Sequence, residues 1–384
     1  MRQDADVIVV GGGLAGLAAA VALSRAGVDV IHLAPSAPPD RRTSALMMPS
    51  VDFLREGGLI EDPASLGHAL NAIRIIDATS RLIRAPETLF DAAETGLSAF
   101  GWNFGNAALL AQFAAVAPAA LQTRNAAVTA YRRIEDLGAV TLTDGSELRA
   151  PLVVGADGKK SLIRTEAGIG TREHHFEQAA LVADLDLGRP IGKTSIEFHY
   201  PNGPFTLVPA GGNRANLVWI EREEMLRQTQ AAGPEALLAA LHERSHRLFG
   251  SITLASPSFV FPLSTLSVEQ AGRDGTMLVG EAAHAFPPIG AQGLNLGLRD
   301  VADMLAAVNA ADRSLPDWAL AASADYARRR TGDLARTGGV VDALFRSLLA
   351  EMLPSQALRA GGLWALKLLP QLRRQAFALG MGQR

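Results

Sequence analysis

Apolar residues follow two rhythms along this chain. The opening stretch DADVIVVGGGLAGLAAAVALSRAGVDVIHLAP holds four consecutive β-branched residues, three glycines, an apolar run ending at Arg25 and a second short apolar run. Consecutive β-branched residues suit a strand buried on both faces, and the run after the glycines is long enough for a helix. The pattern predicts a strand at about residues 6–10, a glycine turn, a helix to about Arg25 and a strand at about 29–33, which together make a βαβ unit. From Asn125 the period falls to two. The signal TDG at Thr143 to Gly145 separates AVTL from LRAPLVVGADG as a hairpin turn does. Alternation in AALVADLDL (179–187) and TSIEFHYPNGPFTLVPAGGNRANLVWIE (194–221) predicts a mostly antiparallel sheet. A polar helical stretch around 233–248, a strand at about 257–262, a return strand TMLVGEAA at 276–283 and helix beyond Asp300 complete the pass. No internal repeat or low-complexity linker separates these parts, so they are expected to interleave.

Composition narrows the class. With 384 residues, 48% hydrophobic and 20% charged, the chain has the make-up of a globular protein of more than one part. A formal net charge of −3, without any basic stripe, argues against a nucleic-acid partner. The absence of cysteine excludes disulfides, thiolate nucleophiles and cysteine metal sites, and it fits a reducing compartment. The eight histidines show no metal-ligand spacing, so no metal site is expected. Val7 to Ser24 is free of charge but is broken by Gly11, Gly12 and Gly13 and has no basic leader. Thr95 to Thr123 is also uncharged but carries Asn103, Asn106, Gln112 and Pro118. Neither reads as a membrane span, no transit peptide is expected before the first strand, and the expected location is cytoplasmic or peripheral on the inner membrane.

The candidate chemistry begins in the first turn. Gly11, Gly13 and Gly16 form G-x-G-x-x-G between a strand and a helix, with Leu14 and Ala15 at the helix start and Ala20 one turn on. The first glycine permits the tight turn, the second lets backbone approach a pyrophosphate, and the third lets the helix lie close to the strand. The acid that usually ends the second strand and holds the adenosine ribose is missing, since the chain there reads His32-Leu33-Ala34-Pro35. Among Asp40, Arg41 and Arg42, Arg42 is the favoured substitute, because a guanidinium chelates phosphate through two donors.

Two later motifs carry a resemblance. Gly155, Ala156, Asp157, Gly158, Ser161 and Arg164 in VVGADGKKSLIR fit the form GADGxxSxxR. Gly280, Ala282, Ala283, His284, Pro288, Gln292, Gly293, Asn295, Gly297 and Asp300 fit a third motif in GEAAHAFPPIGAQGLNLGLRD. With the N-terminal turn, these resemble the fingerprints of flavoprotein monooxygenases of the para-hydroxybenzoate hydroxylase type, and YARRRTGD followed by DALF resembles that family's helical end. The resemblance implies an α/β fold, in which a Rossmann-like FAD-binding domain (1–70, 100–178 and 265–320) is interleaved with a mostly antiparallel substrate domain (71–99 and 179–264). A C-terminal helical region (321–384) follows. It implies FAD contacts from Gly11, Gly13, Leu14, Ala15, Gly16, Arg42, Asn106, Asp157, Gly280, Glu281, Pro287, Gly290, Ala291, Gln292, Gly293, Leu294 and Asn295. In that scheme an acid after a buried strand holds the ribityl hydroxyls, prolines wall the isoalloxazine ring, and a helix N-terminus stabilises charge on its N1–C2=O edge. Glu281 stands where the family has aspartate, and Ala291 where it usually has glycine. Asn106 sits where a residue reaching the cofactor and one capping a helix read alike. His284 falls at a cofactor-side structural position, and no catalytic residue is nominated.

Within that family, PPIGAQGLNLGLRD, DRRTSAL (Asp40 to Leu46), Asn106 followed by Leu109, and GPFTLVP (Gly203 to Pro209) are most similar to the ubiquinone-biosynthesis hydroxylases, with Pro287 in place of a histidine. That likeness implies hydroxylation of a polyprenylated phenol. NAD(P)H would reduce FAD, and O2 would be delivered to the ring through a flavin C4a-hydroperoxide. Phe198, Phe205, Leu207, Pro209 and Pro288 are the candidate lining of the substrate pocket, with core packing the competing role. Other monooxygenases or prenyl reductases of this fold, and a non-catalytic flavoprotein subunit of a biosynthetic complex, share the same fingerprints, whereas the W-x-W-x-I-P signature of flavin halogenases is absent. The segment Ser355 to Arg384, apolar nearly all round with Arg373 and Arg374 after Pro370, is expected to meet the inner membrane surface, a ubiquinone-biosynthesis partner or the chain's own core.

Overall fold

The computed structural model describes residues 3–79 and 85–349, together with Trp364, Gln371 and Gln375. Its first sheet has six strands in the order 272–273, 276–278, 152–155, 7–10, 30–33 and 122–124. Val7–Val10 lies at the centre and pairs in parallel with Val30–Leu33 on one side and Leu152–Gly155 on the other. All twelve residues of these three strands are buried, as strands covered on both faces must be. Helix Leu14–Arg25 packs in the same core and is buried on almost every side, which explains why LAGLAAAVALSR has hardly any polar face. The expected βαβ unit is therefore present within a residue or two of its predicted bounds.

The second sheet runs in the order 284–285, 259–268, 171–187, 214–222, 203–209, 194–200, 72–77 and 88–91, with Ile252–Leu254 beside the long strand Thr171–Leu187. Every pairing in it is antiparallel except that of Thr194–Tyr200 with Ala72–Asp77. Helices Glu223–Ala231 and Pro234–Arg244 lie on one face, where Leu226, Leu237 and Leu241 meet Leu181, Phe205 and Trp219. The first of these helices begins ten residues before the helical stretch read from sequence. Leu226 is its only buried residue, too sparse an apolar signal to register as a period. The architecture is the α/β fold expected, a Rossmann-like sheet joined to a mostly antiparallel one.

The return strand is shorter than TMLVGEAA suggested. It ends at Leu278, and the chain then makes a 3-10 turn over Gly280–Ala282. Ala282 and Ala283 remain buried in the main core, so the apolar run continues past the end of the strand and conceals it.

A buried polar network ties this turn to the C-terminal helices Gln292–Ala310 and Trp318–Leu349. Asp300 Oδ2 accepts from the Gly280 amide at 2.8 Å and lies 2.6 Å from His284 Nε2, while Asp300 Oδ1 is 2.7 Å from Arg330 Nε. Arg330, with no exposed surface, also donates through Nη1 to Asp303 and Asp333, each at 2.7 Å. Burial opposes the charge on Arg330, but Asp300 and its neighbours outweigh it and raise the guanidinium pKa above its ordinary value. Tyr326 donates to Leu278 O at 2.7 Å from the same helix. Among the described residues no helix is long and apolar enough to cross a membrane. The segment Ser355 to Arg384 lies outside the described residues apart from the three named above.

Arg330→Leu would strand buried carboxylates and should lower unfolding stability by about 3–5 kcal/mol. Chemical denaturation measures this, and a loss below about 1 kcal/mol would show that the network does not brace the turn.

Candidate active site

Three segments remote in sequence meet at Gly280. Its φ of 61° is left-handed, and a Cβ built there would stand 3.0 Å from Ala15 Cβ. A Cβ on Gly297 would stand 3.3 Å from Gly280 Cα. The start of helix Leu14–Arg25, the turn after the return strand and the start of helix Gln292–Ala310 are thus packed backbone to backbone. Gly11 and Gly16 of the first turn are more constrained still. A Cβ on Gly11 or on Gly16 would stand 2.1 Å from a carbonyl oxygen, that of Ala156 or of Gly11 respectively.

Gly13 and Gly293 differ from these, because a Cβ at either would meet no atom within 4 Å. Both are exposed, and both stand at the N-terminus of a helix whose cap residue, Gly13 or Ala291, makes no side-chain capping bond. Each helix therefore presents unsatisfied amides to open space, the arrangement that attracts a pyrophosphate at one end and an electron-rich ring edge at the other. On this test the residues fit a bound FAD. Gly290 (φ 64°) and Ala291 (φ 53°) are both left-handed, so the alanine in the family's glycine position takes a conformation that costs an L-residue about 1–2 kcal/mol. The turn is bent sharply enough for Gln292 Nε2 to reach back to Gly290 O at 3.1 Å.

Several nominated side chains are held by the protein itself. Asp157 accepts from Ser161 Oγ and from the amides of Leu162 (2.7 Å) and Ile163 (3.1 Å), which fixes the short helix Leu162–Glu166. Asn295 donates to Ala45 O and Ala291 O and accepts from Met47 N, clamping the second helix start to strand Thr43–Met47. Leu14 is buried in the main core, Leu294 packs against it, and Pro287 is buried beneath the loop. These residues shape the cradle, and their side chains are turned into the protein.

Arg42 and Asn106 meet on Asp40, and Glu281 lies beside Arg42. Arg42 grips Asp40 through two bonds (2.9 and 2.8 Å), and its Nη1 is 4.0 Å from Glu281 Oε1. Asn106 donates to Asp40 at 2.9 Å and accepts from Ser44 Oγ at 2.7 Å. Burial pushes the Asp40 carboxyl upward, but the bonds from Arg42 and Asn106 prevail and hold it at about 2. Asp40 and Ser44 complete a network that sequence reading did not assemble. Both lie in the stretch DRRTSAL, but Asn106 is far from them in the chain, and nothing local records the pairing. Arg164, known from sequence only as a motif position, donates to Ala282 O and Lys159 O and joins the second motif to the third.

Phe198, Phe205 and Leu207 have no exposed surface and pack beneath the two helices with Trp219 and Leu217. Pro209 is paired with Ala215 of that same core, and Pro288 is exposed. With a side-chain period of two, their neighbours face the other way. Val208 packs with Ala291 on the cluster of Met47, Leu70 and Phe100, and Val218 packs with Ile289 on that of Ala180, Ile220 and Leu263. The sheet face beneath the loop therefore carries Val208, Val218 and Ile220. His284, held by Asp300 and stacked on Phe286 at 6.0 Å, is a brace of the turn.

The chain belongs to the FAD binding domain family, which matches residues 4–332. It is an FAD-dependent monooxygenase. Among curated proteins it is 33% identical to a protein named ubiquinone hydroxylase UbiL of Rhodospirillum rubrum, across 98% of this chain and 90% of that one. It is 31% identical to the 3-demethoxyubiquinol 3-hydroxylase of Escherichia coli, across 99% of both. Its fold matches p-nitrophenol 4-monooxygenase PnpA of Pseudomonas putida with a TM-score of 0.79 at 19% identity over the whole of both chains.

Gly13→Trp should yield folded protein without flavin, since a Cβ there meets no protein atom within 4 Å and the ring beyond it would occupy the phosphate space. Normal FAD content after purification would remove the cradle from Gly13. Glu281→Ala should weaken FAD by about 1–3 kcal/mol and Glu281→Asp by less. Equal retention of flavin by the two variants would exclude the carboxylate from the site.

Proposed function

We propose that this enzyme hydroxylates a polyprenylated phenol in ubiquinone biosynthesis, with NAD(P)H and O2 as co-substrates. The near-full-length likeness to two named ubiquinone hydroxylases carries the reading, and the apolar cluster of Ala180, Ile220 and Leu263 on which Ile289 packs agrees with it. FAD, when bound, supplies the redox chemistry that activates dioxygen. The chain's own residues do the rest. Amides at Gly13, Leu14 and Ala15 hold the pyrophosphate, and Arg42 and Glu281 hold the hydroxyl-bearing part of the cofactor. Amides at Gly293 and Leu294 stabilise negative charge on the ring edge. Val208, Val218 and Ile220 close the site from the sheet side, exclude water and seat the phenol against the loop from Pro287 to Ala291. A substrate whose tail dissolves in a bilayer places the enzyme at the cytoplasmic face of the inner membrane, among other proteins of the same biosynthesis.

Purified holoenzyme given a prenylated phenol should oxidise NAD(P)H faster than without it and release a product carrying one oxygen atom from labelled O2. Tightly bound FAD with unstimulated oxidation and no labelled product would replace this reading with that of a non-catalytic flavoprotein subunit.

A further inference from the structure

Phe259 and Phe261 project from strand Phe259–Val268 with stacked rings, centroids 6.3 Å apart and planes at 29°. They are 48% and 47% exposed. One exposed phenylalanine is ordinary, but a stacked pair that continues a buried apolar strip marks a surface with a use. The register pairs Phe261 with Ala180 and Phe259 with Val182, and it pairs those two in turn with Ile220 and Val218. Two rows thus cross three strands, Ile220–Ala180–Phe261 and Val218–Val182–Phe259, without a charged or polar side chain in either. Each row spans two strand spacings, about 10 Å. Ile289, two residues before the left-handed Ala291, packs on the cluster that Ile220 and Ala180 form with Leu263, and the rows open to solvent at the phenylalanine pair.

Resting on the hydroxylation proposed above, we infer that this strip is the path of the substrate's isoprenoid tail. The aromatic ring is held beneath the loop, and the tail passes Ile289, crosses the sheet over Ile220 and Ala180, and leaves between Phe259 and Phe261. An isoprenoid chain is the occupant because the strip is narrow and begins at the flavin-side loop. A second protein copy would need about 800 Å² per partner, far more than two rows of three residues offer.

The test compares a long-tailed phenol, solubilised in detergent, with the same ring lacking a tail, using flavin-loaded F259S/F261S. Removing two apolar contacts should raise the ratio of the two KM values about tenfold or more. F259L/F261L should largely restore the ratio, and Leu89→Ser, which alters an equally exposed residue elsewhere, should leave it unchanged. An unaltered ratio overturns the inference, as does an equal rise in both KM values. Loss of vesicle binding with an unaltered ratio would reassign the pair to the membrane surface, and a change in oligomeric state with an unaltered ratio would reassign it to a second copy. If wild-type enzyme hydroxylates neither phenol, the proposed function itself fails and this inference with it.

Discussion

The close approach of three backbones at Gly280 is the constraint on which the rest depends. Ala15, Gly280 and Gly297 come from the first helix, the return turn and the last motif, and a side chain at the second or third would press on its neighbour at 3.0 or 3.3 Å. At this contact two helix N-termini share one space, with Glu281 at its rim. Asp300 keeps the contact in place by holding the Gly280 amide, and Arg330 holds the other oxygen of Asp300 where neither side chain has exposed surface. The buried ions stabilise little by themselves, because desolvation offsets much of their attraction. Their effect is positional. A turn held only by apolar packing could shift by an ångström without penalty, whereas a carboxylate bound to an amide, an imidazole and a guanidinium cannot.

The substrate side obeys a different rule, the two-residue period of a strand. In strand Gly203–Pro209, Phe205 and Leu207 seal the helix-covered core while Val208 faces the flavin-side loop. A shift of one residue in register would exchange these roles and expose the core. Phe205, Leu207, Leu217 and Trp219 fill the helix-covered face, and Thr206, Val208, Asn216 and Val218 lie on the opposite one.

Much of the site was legible because its motifs are local. The glycine turn, the DG turn and the proline-rich loop each place their chemistry within a dozen residues, and in each the backbone geometry demands particular residue types. Gly11, Gly16 and Gly280 owe their identity to carbonyl oxygens or a methyl group that leave no room for a side chain. The fold class followed from the same logic, since a strand buried on both faces and one buried on a single face write different periods into the chain.

What the sequence alone determined, then, is the order of elements, the class of cofactor and the glycine positions where segments of the chain must approach one another closely. Only the tertiary structure decided which face of the second sheet meets the loop, because Phe205 and Val208 are both apolar and alternation alone does not distinguish one covered face from the other. It also decided that Asp157 and Asn295 turn their side chains into the protein, that Asp40 stands between Arg42 and Asn106, and that Ala291 takes a left-handed conformation. Each of these depends on partners that lie elsewhere in the chain or on how a turn is bent, and no local pattern records either. Long-range contacts of this kind form only when the sheets assemble, so their geometry is a property of the assembled fold.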